Sequence, residues 1–128
     1  MSAARQQLGR SAEELVAAEL KRAGWQIVAR NVRPAEVRGE IDLIALEGAT
    51  LVFVEVKARR AGSSPGPETP AMAVGPRKCA RLRSLAAAWL RERGYDVPRH
   101  SDLRFDVVGL RIDGRGQVTE REHIKGAF

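Results

Sequence analysis

Residues 38–57, RGEIDLIALEGATLVFVEVK, decide the fold of this chain because they contain two strand-like runs separated by a short turn. The first run, GEIDLIAL, covers residues 39–46, and the second, LVFVEV, covers residues 51–56. The four residues between them, EGAT at 47–50, suit a tight connection. We therefore predict a β-hairpin over this stretch.

The position of the turn sets the register of the hairpin. A turn centred after Gly48 places Asp42 across from Glu55 and Glu40 across from Lys57. Directly opposed side chains have Cβ atoms about 4.5–5.5 Å apart. Because side chains alternate across a strand, Glu55 and Lys57 share one face. The sequence thus predicts two carboxylates and a nearby ammonium group at one end of the hairpin.

Two carboxylates at that distance repel each other, since each disfavours ionisation of the other. The second strand is apolar on both faces apart from Glu55, which favours a central place in the sheet, where buried charge is costly. A divalent cation resolves the conflict, because Mg²⁺ takes oxygen ligands from carboxylates and substrate phosphate. The alternative is a solvated face of alternating charges. The apolar residues flanking both carboxylates favour the metal site.

Composition and charge indicate a globular protein with a polyanionic partner. The 128 residues suit a single domain over 1–128, with 44% hydrophobic and 30% charged residues. The chain has 22 Lys and Arg against 16 Asp and Glu, and its net charge of +6 favours a partner such as nucleic acid. The single Cys79 excludes an internal disulfide and a cysteine-based zinc site within one chain.

The sequence also bears on location. It has no apolar run long enough to span a membrane. The N-terminal stretch MSAARQQLGRSAEE lacks the apolar core of a signal peptide. We therefore expect no membrane association and a cytoplasmic location.

Hydrophobic periodicity predicts two helices in the remaining chain, one over residues 3–23 and one from Pro76 to just before Gly94. Strands are predicted over residues 25–32, 103–112 and 117–124. In the second helix, Trp89 belongs to a stripe with core-facing spacing, so it is expected to pack in the core rather than to stack on bases.

Two acidic residues lie near the apolar side of the first helix. A helical wheel places Glu19 close to the centre of that side and Glu13 at its edge. The wheel therefore favours Glu19 over Glu13 as the residue that reaches an inward site. The alternative, which the wheel supports somewhat better, is that Glu19 extends to solvent and Glu13 is merely exposed.

An irregular segment follows the hairpin. Residues 61–76 contain four prolines and three glycines and therefore favour no regular structure. The segment is either a mobile flap over a phosphate backbone or a surface loop without a function. The candidate phosphate-binding residues on either side of it are Arg59, Arg60, Arg77, Lys78 and Arg81. The last three lie where positive charge opposes the helix dipole, and either phosphate binding or a solvated basic face explains them.

The order helix, strand, hairpin, helix, strand, strand, with an aspartate followed by E-x-K on the hairpin, resembles the PD-(D/E)xK nuclease fold, which archaeal Holliday junction resolvases share. Within it the chain is most similar to the small bacterial YraN-type family. The matching segments are residues 9–17, Arg30-Asn31, GEIDLIA at 39–45, VFVEVKAR at 52–59, Lys78 with Arg81, and RFDVV at 104–108. The resemblance implies an α/β restriction-endonuclease-like core, a mixed five-stranded sheet flanked by helices in the order α-β-β-β-α-β-β.

The resemblance also implies a set of site residues. Asp42 and Glu55 correspond to the metal ligands, with the backbone carbonyl of Val56 as a third. Lys57 corresponds to the residue that stabilises charge on the scissile phosphate or orients the attacking water. The helix glutamate of the family corresponds to Glu13, against the preference of the wheel. The implied cofactor is Mg²⁺ or Mn²⁺, and the implied partner is DNA.

The function that the resemblance implies is a metal-dependent DNA endonuclease that hydrolyses phosphodiester bonds, with branched or structured DNA as a candidate substrate. The basic residues would then follow phosphates without reading bases. A homodimer would favour a resolvase, which cuts two strands symmetrically, whereas a monomer would favour a simple nuclease or an accessory module. The alternative function is a DNA-binding accessory protein whose catalysis is lost. The intact Asp42, Glu55 and Lys57 argue against it.

Three positions depart from the family pattern. Ala12 stands where glycine is usual, which should be harmless in a helix. Ile41 takes the place of the proline in the nuclease label, which many members of the superfamily also lack. Glu19 lies where relatives tend to carry an aromatic residue, and the sequence shows no partner for its charge.

Overall fold

A computed structural model describes residues 3–62 and 74–128, which form two helices and one five-stranded sheet. In chain order the elements are α1 (Ala3–Arg22), β1 (Gln26–Val32), β2 (Ile41–Glu47), β3 (Thr50–Arg60), α2 (Pro76–Arg93), β4 (Asp102–Ile112) and β5 (Val118–Ile124). This α/β architecture confirms the predicted order and is consistent with a restriction-endonuclease-like core. Neither helix in these ranges is both long and apolar enough to cross a membrane.

The sheet is mixed, with its strands in the spatial order β1-β2-β3-β4-β5. β3 and β4 are parallel and pair over eleven residues, from Thr50 opposite Asp102 to Arg60 opposite Ile112. The other neighbouring strands are antiparallel. A parallel pair needs a crossover connection, and α2 lies on this one. β3 is therefore the central strand, as its apolar character on both faces predicts.

Two apolar cores hold the sheet between the helices. One lies under α1, whose buried residues there are Ala12, Val16, Ala17 and Leu20. The other lies under α2, whose buried residues are Leu82, Leu85, Ala86 and Trp89. Trp89 is 3% exposed, which confirms the prediction that it serves the core.

The buried side of α1 is rotated from the side that the helical wheel predicts. Leu15 is 38% exposed and Ala23 is exposed beyond the helix end, whereas Ala17 is fully buried. The centre of the buried side therefore moves from Glu19 toward Glu13. The preference of the wheel for Glu19 is wrong, because it counted Leu15 and Ala23 as core residues.

The connection between β1 and β2 is held against α2. The backbone N–H of Ala35 donates to Oε1 of Glu92 at 2.6 Å. Further along, Gly39 has a φ of 131°, and a Cβ at this position would lie 3.1 Å from Cδ1 of Leu85. Glycine thus permits both the backbone conformation and the close approach of the chain to α2 just before β2 begins.

Candidate metal and nucleic-acid site

The hairpin of β2 and β3 has the register that the sequence predicts. Its paired residues extend to Leu43 opposite Val54, and one further step in the same register leads to Asp42 and Glu55. At that point the backbone N–H of Val56 donates to Oδ2 of Asp42 at 2.8 Å. A side-chain carboxylate thus takes the place of a backbone carbonyl where the two strands separate.

Glu40 does not continue this pairing. β2 begins at Ile41, so Glu40 lies before the strand, and the prediction that it faces Lys57 is wrong. Its side chain binds Asn31 and Arg33 instead.

Glu55 is 5% exposed and has unequal oxygens. Its Oε1 lies 3.7 Å from Nζ of Lys78, whereas its Oε2 is buried and has no hydrogen-bond partner among the described residues. Burial raises the pKa of Glu55, although the ammonium groups of Lys78 and Lys57 oppose this effect. A buried carboxylate oxygen without a partner costs free energy, so this atom is suited to an added ligand.

Asp42 shares this environment. Burial and the negative charge of Glu55 raise the pKa of Asp42 to about 7, in spite of the hydrogen bond from Val56. Two adjacent carboxylates with raised pKa values can exchange protons for a cation, because a metal favours the deprotonated form of its ligands.

Glu13 and Glu40 bring two further carboxylates to Asp42. One oxygen from each of these three side chains lies within 4.8 Å of the other two. Burial raises the pKa of Glu13, a hydrogen bond from Asn31 opposes this, and the charges of Asp42 and Glu40 add to it. Oxygens on opposite sides of a Mg²⁺ ion are about 4 Å apart, so the oxygens of Glu13 and Asp42 are close to the spacing that two ligands of one ion would have.

Asn31, near the end of β1, connects two of these carboxylates. Its Nδ2 donates to Oε1 of Glu13 at 2.7 Å and to Oε1 of Glu40 at 2.8 Å. Arg33 holds the other oxygen of Glu40, with Nε at 3.0 Å. Asn31 has a φ of 50°, and within the described ranges no other non-glycine residue has a positive φ. The sequence predicts no role in the site for Asn31 or Glu40, although an asparagine near the end of a strand is a signal for this conformation.

The predicted basic residues of β3 lie on different faces. Lys57 and Arg59 follow Glu55 on the face that α2 covers, by the alternation of the strand. Arg60 lies on the opposite face, where it lines a groove with Leu15 of α1. Lys57 therefore lies beside the carboxylates, and Arg60 does not.

The basic residues of α2 lie at its N-terminal end. Arg77 and Arg81 are exposed, and half-buried Lys78 reaches Glu55. A Cβ at Gly39 would lie 3.4 Å from Cδ of Arg81, so this arginine borders the segment that leads to Asp42. Lys78 and Arg81 therefore border the carboxylate site, and Arg77 is exposed at the start of the same helix.

Two further expectations concern Glu19 and the irregular segment that follows the hairpin. Glu19 forms an ion pair with Arg121 of β5, which is the partner that the sequence did not show. The proposed flap over residues 61–76 falls for the most part on residues 63–73, which lie outside the described residues.

The donor set suits a hard divalent cation. Carboxylate oxygens are the ligands that Mg²⁺ and Mn²⁺ prefer, and Oε2 of Glu55 is a buried carboxylate oxygen without a hydrogen-bond partner among the described residues. Asp42 and Glu55, with Glu13 beside them, are the residues that could hold the ion. That the carbonyl of Val56 is a further ligand stays a prediction.

Comparison with known proteins assigns the chain to a family. Residues 12–110 match the family described as Uncharacterised protein family UPF0102. The chain belongs to the UPF0102 family. This confirms the resemblance to the YraN-type family, and the matched range contains Glu13, Asp42, Glu55 and Lys57.

Relatives of this UPF0102 chain match it over nearly its full length. A UPF0102 protein of Streptomyces griseus subsp. griseus is 46% identical over 123 residues, which are 96% of this chain and 97% of the relative. One of Rhodococcus opacus is 48% identical over 122 residues, 94% of this chain and 95% of the relative. One of Anaeromyxobacter dehalogenans is 42% identical over 125 residues, 97% of this chain and 85% of the relative.

Proposed function

We propose that this UPF0102 protein is a divalent-cation-dependent DNA endonuclease that hydrolyses phosphodiester bonds. The observation that carries the proposal is Oε2 of Glu55, a buried oxygen beside Asp42 that has no hydrogen-bond partner in the described part of the chain. Buried carboxylates that serve only the fold are normally fully hydrogen-bonded. A cation would supply the missing partner and offset the repulsion between the two carboxylates.

Asp42 and Glu55 would hold this cation, with the carbonyl of Val56 as a third ligand and Glu13 approaching from α1. When bound, Mg²⁺ or Mn²⁺ lowers the pKa of a coordinated water and neutralises negative charge on a phosphate. The N–H of Val56 already fixes the Asp42 carboxylate, so little ordering of this ligand is needed on binding.

Lys57 would act on the scissile phosphate. It lies two residues beyond Glu55 on the same face of β3, and its positive charge acts on that carboxylate. An ammonium group at this place stabilises the negative charge that develops on the phosphate, or orients the attacking water.

The basic residues would bind the DNA backbone rather than its bases. The proposed set is Arg59, Arg60, Arg77, Lys78 and Arg81. With a net charge of +6, they predict salt-dependent and sequence-tolerant binding. Because Arg60 lies on the opposite face of β3 from Glu55, we expect its substitution to weaken binding less than substitution of Arg77 or Arg81.

Branched or structured DNA is the substrate class that we propose, on the resemblance to junction resolvases. A resolvase cuts two strands symmetrically and therefore needs two active sites, so a homodimer belongs to this proposal. Sedimentation of the protein with and without a four-way junction would measure its oligomeric state. A monomer that cuts flapped or linear DNA equally well would favour a simple nuclease.

The proposal is tested by cleavage of linear, single-stranded, flapped and four-way-junction DNA in Mg²⁺ and in Mn²⁺. The purified protein would be compared with Asp42→Asn and Lys57→Ala, and DNA binding would be measured in parallel. We expect both substitutions to abolish cleavage while binding persists, because the charged residues of α2 are unchanged.

Two matched controls accompany this assay. Asp96→Asn makes the same chemical change at a side chain that is 83% exposed, and Lys21→Ala removes an exposed lysine at the end of α1. Both should cleave like the wild type. Tight DNA binding without cleavage in either metal would support the accessory function instead. Cleavage that survives both Asp42→Asn and Lys57→Ala would indicate a contaminant and leave the site without support.

A further inference from the structure

We infer that Asn31 is a positioning residue that holds Glu13 at the cation site, an inference that rests on the proposed function. An asparagine amide carries two N–H groups, and both are used here, one by Glu13 and one by Glu40. The donor-to-acceptor distances of 2.7 and 2.8 Å are those of charge-assisted hydrogen bonds. Asn31 would not touch the metal or the DNA itself.

The Asn31 amide offsets the repulsion between the carboxylates of Glu13 and Glu40. Glu13 and Glu40 are both carboxylates, and an oxygen of one lies within 4.8 Å of an oxygen of the other, so their like charges repel when both are ionised. Without a donor between them, Glu13 would move from its half-buried place into solvent and leave Asp42. The Asn31 amide binds both carboxylates at once, which keeps an oxygen of each within 4.8 Å of Asp42.

Glu40 is the fixed end of this arrangement. One of its oxygens accepts from Asn31, and the other accepts from Nε of Arg33 at 3.0 Å and lies 2.9 Å from an Nη atom of the same guanidinium. Both oxygens of Glu40 therefore have partners in the protein. The contacts run from Arg33 through Glu40 and Asn31 to Glu13, and Glu13 is the member that faces the cation site with one oxygen held.

The backbone of residue 31 supports the same conclusion. Its φ of 50° lies in the left-handed region, which glycine adopts most easily. Asparagine also tolerates this conformation, and it adds two donors that glycine lacks. Aspartate would tolerate it too, but it would bring a further negative charge in place of the donors. The residue found here is the one that fits both the backbone and two carboxylate partners.

The test is Mn²⁺ binding, measured by titration calorimetry without DNA on the wild type and on Asn31→Gly. Glycine fits the backbone conformation, so the substitution removes the amide with little strain. We expect the dissociation constant to rise by roughly 10–100-fold, the usual effect of removing a group that orients a metal ligand. Gln26→Ala is the matched control, because it removes an exposed amide from the start of β1, and it should bind Mn²⁺ like the wild type.

Repeating the Asn31 substitution in a protein that already lacks the Glu13 carboxylate distinguishes a role in positioning Glu13 from a general effect on the fold. If Asn31 acts through Glu13, Asn31→Gly should change Mn²⁺ affinity by less than about threefold in a Glu13→Ala protein, since that background lacks the oxygen to which Asn31 donates. Arg33→Gln loosens the same contacts without altering residue 31, and we expect a rise of roughly threefold in the dissociation constant. Thermal unfolding of each variant would verify that it is folded.

The outcomes distinguish this inference from the proposed function. Wild-type affinity in Asn31→Gly, or an equal loss in both backgrounds, overturns the role of Asn31 and leaves the nuclease proposal standing. Absence of Mn²⁺ binding to the wild type overturns both. Binding that Asn31→Gly weakens as expected, in a protein that cleaves no DNA, supports the role of Asn31 and overturns the nuclease proposal.

Discussion

Two buried carboxylates on neighbouring strands have opposite surroundings. Asp106 of β4 is fully buried and accepts hydrogen bonds from Nε and Nη2 of Arg104 at 2.8 and 3.0 Å and from the N–H of Gly126 at 3.0 Å, with Nε2 of His123 2.8 Å away. Burial opposes its ionisation, but these partners lower the pKa of Asp106 to about 2. Glu55 of β3 is 5% exposed, has one oxygen without a partner in the described ranges, and has a raised pKa.

The degree of burial alone therefore does not determine whether a carboxylate stabilises the fold or is suited to bind a ligand. Asp106 pairs across the sheet with Val54, and Glu55 pairs with Val107, so the two acids are one step apart along the same pair of strands. The carboxylate with all its partners stabilises the fold. Glu55, which lacks a hydrogen-bond partner for one oxygen, makes the fold less stable when no ligand is bound. Binding sites usually carry such a cost in stability.

The largest expected effect is on Asp106. Asp106→Asn should lower the free energy of unfolding by about 3–5 kcal/mol, because it removes a fully buried negative charge that Arg104 and the N–H of Gly126 both bind, although Arg104 keeps its ion pair with Glu47. Glu55→Gln, measured without metal at pH 8, should leave the free energy of unfolding unchanged or raise it. Urea unfolding of both variants measures the difference. Equal destabilisation by the two substitutions would show that both carboxylates serve the fold.

The metal-free protein should also respond to pH in two opposite ways. The pKa of Asp42 is raised from 3.8 to about 7, so the folded state binds more protons than the unfolded state between about pH 4 and 7, and the free energy of unfolding falls as pH rises through this range. The pKa of Asp106 is lowered from 3.8 to about 2, so its contribution is complete above pH 4 and is lost as pH falls toward 2.

The substitution Asp42→Asn distinguishes the two pH dependences of the free energy of unfolding. It should remove a fall on the order of 2–4 kcal/mol between pH 4 and 7 and leave the acid side unchanged. Urea unfolding at a series of pH values in the presence of EDTA is the measurement. A fall of the same size in Asp42→Asn would mean that another group causes it.

A divalent cation should act on one carboxylate and not on the other. Mn²⁺ at about 100 times its dissociation constant should raise the free energy of unfolding of the wild type by about 2.7 kcal/mol. Glu55→Gln should lose most of this gain, and Asp106→Asn should keep it, because the Asp106 substitution leaves the proposed ligands Asp42 and Glu55 unchanged. Differential scanning calorimetry with and without EDTA tests this, and an equal gain in Glu55→Gln would place the cation elsewhere.

The smallest effect is expected at Glu19, whose ion pair with Arg121 is partly exposed, with side-chain exposures of 28% and 40%. Glu19→Gln should change the free energy of unfolding by less than about 1 kcal/mol, since water and salt screen such pairs. Urea unfolding at low and high salt measures it. A larger loss of unfolding free energy at both salt concentrations would show that the ion pair with Arg121 stabilises the fold although it is partly exposed.

Much of the hairpin could be predicted because its determinants are local. The turn at Gly48 and the alternation of apolar residues set the register, and the register brings Asp42 to Glu55. The identity of the inward helix glutamate could not be derived from periodicity. Leu15 has the spacing of a core residue but borders an open groove, and this depends on where the sheet ends rather than on the helix itself.

The partners of the buried carboxylates are less visible in the sequence. Asn31 connects residues from α1 and from the segment before β2, and no repeat or spacing relates these positions. Asp106 lies in a segment that resembles the family, yet Gly126 and His123 reach it only because β5 returns antiparallel to β4. Contacts between distant parts of the chain follow from tertiary packing, and a single sequence does not display them.

The parallel pairing of β3 with β4 also determines when the surroundings of Asp42 and Glu55 are completed during protein synthesis. The hairpin that carries Asp42 and Glu55 can form once residue 60 has left the ribosome, since its contacts are short in sequence. The strand that covers the other side of Glu55 ends at Ile112 and arrives only after the crossover through α2. Until then Glu55 lacks the neighbouring strand that pairs with it, at Val107, in the folded chain. Pairing over such a separation is slow, so the buried surroundings of Glu55 are among the last features that the nascent chain acquires.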